Sequence, residues 1–94
     1  MDDSAPRRYS VNRDGAYWRI LDGEAVIISA ETSHYYSLNL TGTFIWELLA
    51  GGVLTAEEIA LHVAERYMRP ADEVSVDVQQ VLGQLAAENL ITSG

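Results

Sequence analysis

HYYSLNLTGTFIWELL, residues His34 to Leu49, changes its hydrophobic period part-way along. From His34 to Asn39 the tyrosines and leucine alternate with polar residues as a strand requires; from Thr41 on, Phe44, Ile45, Leu48 and Leu49 recur at helical spacing. The break lies at Thr41-Gly42, so the stretch reads as strand, corner and helix, with Asn39 or Thr41 as the helix cap. Side chains alternate across a strand, which puts Tyr36 and Leu38 on one face and Tyr35, Ser37 and Asn39 on the other. The pair with leucine is the inward one.

Working outward toward the N-terminus, Tyr17 to Leu21 and Glu24 to Ser29 are strand-like runs separated by Asp22-Gly23, the residues a type I′ hairpin turn demands. The polar connection Ala30 to Ser33 returns the chain into His34 to Asn39 and completes an antiparallel three-stranded meander. Before it, residues 1–15 read as a flexible arm in which only Tyr9 and Val11 can dock, leaving 16–94 as the folded domain. Toward the C-terminus, Gly51-Gly52 ends the first helix. Thr55 and Glu58 form a capping box for a second helix carrying Ile59, Ala60, Val63, Ala64 and Tyr67 along one side. Pro70 closes that element, and a third helix runs from near Asp72 to about Asn89 with Val74, Val78, Val81, Leu82 and Leu85 as its core stripe. Leu90 and Ile91 then dock the tail. Three strands followed by three helices give an α+β, winged-helix-like domain with the sheet placed first.

At 94 residues the chain suffices for one domain, which buries only about 60% of its unfolded surface and therefore needs every apolar stripe. The absence of cysteine excludes disulfides and thiolate chemistry and fits a cytoplasmic location. MDDSAPRRYS has acids ahead of its arginines and no apolar run, so it is not a signal peptide, and no stretch approaches the ~20 apolar residues of a membrane span.

Fourteen acidic residues against six arginines leave a net charge of −8, and no base follows Arg69. Such a field repels phosphates and anionic lipid and attracts a basic or neutral peptide. The third helix holds Asp72, Glu73, Asp77 and Glu88 and no cation, which argues against nucleic acid as a partner.

Catalytic patterns are missing too. His34 and His62 have no metal-binding spacing, Ser29, Ser33 and Ser37 no nucleophile elbow, and Gly51-Gly52 is a helix stop. Glu57-Glu58 and Asp72-Glu73 sit at helix starts, where the dipole accounts for them. Trp18 and Trp46 read as packing aromatics. The expectation is a binding module with no catalytic residue, metal ligand or cofactor.

The succession DGEAVIISAETSHYYSLNLTGTFIWELLAGG, TAEEIALHVAERY and VSVDVQQVLGQLAAENLI resembles the PqqD-like family, also called RiPP recognition elements, over about Tyr17 to Ile91. The most specific part is Tyr-x-Leu-Asn-x-Thr-Gly-x-x-Ile-Trp, matched by Tyr36, Leu38, Asn39, Thr41, Gly42, Ile45 and Trp46. The resemblance implies a non-catalytic domain that binds the leader segment of a ribosomally made precursor peptide and presents it to a modifying enzyme. It further implies that the leader adds as an antiparallel strand beside the third strand, in the groove facing the third helix.

Carried over to this chain, that edge is His34, Tyr35, Tyr36, Ser37 and Leu38. On the third helix Asp77, Gln80, Val81 and Gln84 form one flank of the core stripe, and Ser75, Gln79 and Ala86 the other. The first flank, with an apolar contact beside acid and amide groups, is the expected groove wall. His34 to Asn39 carries no lysine, arginine or proline to blunt its edge, as an unused edge would need. The expected partners are a leader peptide and an enzyme recruited in trans, either a radical-SAM protein or a leader peptidase, in a pathway other than quinone synthesis; the domain itself is a monomer or weak dimer. A DNA-binding regulator and a homodimerisation module are the alternative uses at this level.

Overall fold

Asp22 and Gly23 both take positive φ, 53° and 79°, the turn geometry their sequence predicts. The structure, a computed structural model, describes residues 6–94. In chain order the elements are β1 (Arg8–Val11), β2 (Ala16–Leu21), β3 (Glu24–Ser29), β4 (Tyr35–Ser37), α1 (Leu40–Ala50), β5 (Leu54–Thr55), α2 (Ala56–Tyr67), α3 (Ala71–Ala87) and β6 (Ile91–Ser93). The expected meander is present in the order β2-β3-β4, with Trp18 opposite Ile27 and Ile27 opposite Tyr36. Its inner face presents Ala16, Ala25, Ile27 and Ser29, all buried, with Trp18 and Tyr36 half-buried beside them.

A second sheet, in the order β5-β1-β6, was not expected. Part of the N-terminal arm is thereby corrected: Arg8 to Val11 are the central strand of this sheet, pairing antiparallel with Leu54–Thr55 on one side and Ile91–Ser93 on the other. Val11 is buried, and Leu90 and Ile91 dock there as the tail. Residues 1–5 of the arm lie outside the described residues. Strands of two to four residues contain too few alternations for a period to register, and the pairing supplies the order instead.

β4 is shorter than the expected His34 to Asn39, because Asn39 leaves the ladder to cap α1: its side-chain oxygen accepts the Gly42 N–H at 2.8 Å. Thr41 is therefore not the cap. The corner is bolted by Thr43, buried, whose Oγ1 accepts the Ala25 N–H at 2.8 Å and donates to the Leu38 carbonyl at 3.3 Å. Gly42 is closely packed here: a Cβ would lie 3.3 Å from both Leu38 Cβ and Asn39 Oδ1, a tight contact that would require a neighbour to give way. Behind the corner Trp46 is fully buried and meets Trp18 edge-to-face, centroids 5.3 Å apart. The α2 capping box is complete, with Thr55 N–H donating to Glu58 Oε1 at 2.8 Å and Glu58 N–H to Thr55 Oγ1 at 3.1 Å. Ile59 and Val63 of α2 and Val74, Val78, Leu82 and Leu85 of α3 close the core, while Val81 stays half-buried. Among the described residues no helix is long and apolar enough to cross a membrane.

Candidate functional site

β4 is an outer strand of its sheet. Its pairing with β3 centres on Ile27 opposite Tyr36 and is continued at either end by the Ser29 N–H donating to the His34 carbonyl and the Leu38 N–H to the Ala25 carbonyl, each at 2.9 Å. Backbone groups alternate sides along an antiparallel strand, so His34, Tyr36 and Leu38 address β3 while the N–H and C=O of Tyr35 and Ser37 point away from it. Tyr35 and Ser37 are thus the two positions whose backbone a further strand could use.

Beyond that edge lies a groove of about 630 Å³. Tyr35, Tyr36, Ser37 and Leu38 form one wall, and Val81, Gln84, Leu85 and Glu88 the other. The walls belong to elements almost fifty residues apart in sequence and are tied at one end by a side-chain bond, Tyr36 Oη donating to Glu88 Oε1 at 2.5 Å. Acceptance by that carboxylate holds the Tyr36 phenol above its ordinary pKa, with partial burial and the negative charge of Glu88 adding to the effect. At the other end the groove runs into a cavity of about 390 Å³ bounded by Asn39, Gly42, Tyr67, Arg69, Asp77 and Gln80. Asn39, Gly42 and Val81 line both spaces.

The residues singled out from sequence are distributed unevenly. Tyr35, Tyr36, Ser37, Leu38, Val81 and Gln84 line the main groove, Asp77 and Gln80 line the adjoining cavity, and His34 lines neither. Of the two flanks of α3, the one bearing Asp77, Gln80, Val81 and Gln84 faces these spaces; Ser75, Gln79 and Ala86 do not. Sequence reasoning missed Leu85, Glu88 and Leu90 as groove residues. The one available signal was the helical continuation of Val81 and Gln84, which places residue 88 on the same side.

Cations are scarce around the groove. Arg69 is held in an ion pair by Glu73, Arg8 faces Glu58 at 3.8 Å, and Arg13 and Arg66 lie over the rings of Trp18 and Phe44, each 5.8 Å from the centroid. α3 exposes Asp72, Glu73 and Asp77 and contributes no positive side chain for a phosphate backbone. Among the described residues no group of three or more His, Asp or Glu side chains is placed to hold a metal ion.

Residues 24–91 match the sequence model of the family described as coenzyme PQQ synthesis protein D (PqqD). The solved structure of TbiB1 in complex with the TbiA(beta) leader peptide is similar to this chain with a TM-score of 0.79 and 28% identity, over 87% of this chain and 93% of that one. No curated protein matches the sequence.

Proposed function

This chain belongs to the PqqD family, and from that premise we propose that it is a non-catalytic recognition protein that takes the leader segment of a ribosomally made precursor peptide as an added strand beside β4. The observation that carries the reading is the edge itself: Tyr35 and Ser37 direct unpaired backbone groups into a groove walled by α3, and the similar TbiB1 structure is a leader-peptide complex. Strand addition satisfies such backbone groups, so affinity comes from the main chain and selectivity from the side chains lining the groove. The bound leader is presented to a modifying enzyme, a radical-SAM protein or a leader peptidase, and the encounter takes place in the cytoplasm, where precursor peptides are translated.

Titration of the isotope-labelled protein with synthetic leader segments of candidate precursor peptides tests this. The expected outcome is saturable shifts of the Tyr35, Ser37 and Gln84 amides. Shifts concentrated on α2, or none, would sink the reading. Sedimentation without peptide separates it from self-pairing of β4 edges, which would grow with protein concentration.

A further inference from the structure

Two carboxylates mark the ends of the α3 wall. Glu88 stands beside Tyr36 at one end of the main groove, and Asp77 stands with Asn39 in the adjoining cavity at the other. Along these spaces Arg69 is the cation; Glu73 holds it in an ion pair, and the charge of Asp77 also acts on it. The remaining groove side chains near the edge are neutral: Ser37, Leu38, Gln80, Val81, Gln84 and Leu85. Arg69, Glu73 and Asp77 together carry one net negative charge at one end and Glu88 carries another at the other, within a chain of net charge −8. A carboxylate offers about four lone-pair sites, so accepting the Tyr36 hydroxyl leaves Glu88 able to take a further, charged donor.

We infer that the groove selects a peptide strand bearing basic side chains, one opposite Glu88 and a second, N-terminal to it, opposite Asp77. This rests on the strand-addition reading above and names the chemistry of its guest. The direction follows from geometry. Passing along β4 from Tyr36 to Asn39 leads from Glu88 toward Asp77, so an antiparallel guest has its N-terminal part at Asp77 and its C-terminal part at Glu88. The spacing is constrained as well. Only every second residue of a strand faces the same wall, so the two cations stand an even number of positions apart. Asp77 and Glu88 thereby become specificity-determining residues, whereas the β4 backbone supplies sequence-independent affinity.

The test uses a displayed library of random twelve-residue peptides selected against the wild-type protein and against Glu88→Gln and Asp77→Asn. Glutamine keeps an acceptor for the Tyr36 hydroxyl and removes only the charge. Wild-type selection is expected to enrich Lys or Arg pairs at even spacing, with binding that weakens as salt rises. E88Q is expected to lose the C-terminal preference and D77N the N-terminal one, each weakening a selected peptide about three- to tenfold. Selected peptides that shift the Tyr35 and Ser37 amides but carry no basic preference, or the same preference from E88Q, would overturn this inference and leave strand addition standing. Failure to select any peptide that shifts those amides would overturn both.

Discussion

Tyr36 does two things that its neighbours do not. Its backbone lies on the β3 side of β4, and its phenol reaches Glu88, so one residue both completes the sheet and ties it to α3. Tyr36→Phe removes the tie and leaves the ring in place. The expected outcome is a folded protein whose leader affinity drops several-fold, because the groove loses its closed end; unchanged affinity would show that the bond does not set the width. The bond also has a pH signature. The folded phenol is held above its ordinary value by Glu88, so its contribution is present below the ordinary phenol pKa and disappears as pH rises through the higher folded value. Absorbance titration of tyrosinate is expected to show Tyr36 ionising later than an unperturbed tyrosine, and Tyr36→Phe to delete that late step. Tyr36 could be placed inward from the alternation with Leu38, but nothing local to it announces Glu88, which lies in another element.

At the scale of the element, β4 is an edge with two kinds of position. Ser37 points its N–H away from β3, so Ser37→Pro removes a donor from the free side only; the fold is expected to survive and leader binding to be lost. Tyr36→Pro removes a donor from the β3 side and is expected to destabilise the meander itself, visible as a lower thermal midpoint. If both variants bind normally, the edge is not the contact. The start of α2 carries a separate prediction. The Thr55 N–H donated to Glu58 is the main cause holding that carboxyl below the usual carboxylate range. A depressed folded value means its stabilising contribution is full above the ordinary carboxylate pKa and is lost as pH falls through the folded one. Hydrogen exchange at the first turn of α2 is expected to accelerate over that acid window, and Thr55→Ala, which removes the reciprocal half of the box, to cost about 1 kcal/mol. The start of this element was legible from Thr55 and Glu58, since a capping box is a contact between residues three apart; its end was not, because the helix stops at Tyr67 with Met68 in the left-handed region, ahead of Pro70.

For the whole molecule, the second sheet joins the two ends of the described chain: Tyr9 pairs with Ser93 and Val11 with Ile91, and the Arg8 and Gly94 backbones exchange bonds of 3.0 and 2.9 Å. Deleting residues 1–11 removes the central strand of that sheet and uncovers Leu90 and Ile91, both buried. The truncated protein is expected to melt at a clearly lower temperature and to expose hydrophobic surface to a reporter dye; an unchanged melt would mean that the strand only decorates the fold. The sequence by itself determined the features whose causes are local. The Asp22-Gly23 turn, the change of period at Thr41-Gly42, the Thr55 box and the stripe from Val74 to Leu85 each depend on residues within a few positions of one another. Tertiary structure alone decided the pairing of β1 with β5 and β6, because strands of two to four residues carry too little alternation to recognise. It alone also decided that Glu88 meets Tyr36 and that the groove continues into a second cavity at Asp77. Both are set by where α3 sits relative to the meander, and that placement is fixed by buried contacts summed over the core that includes Trp46, Ile59 and Leu82, not by any one stretch of the chain.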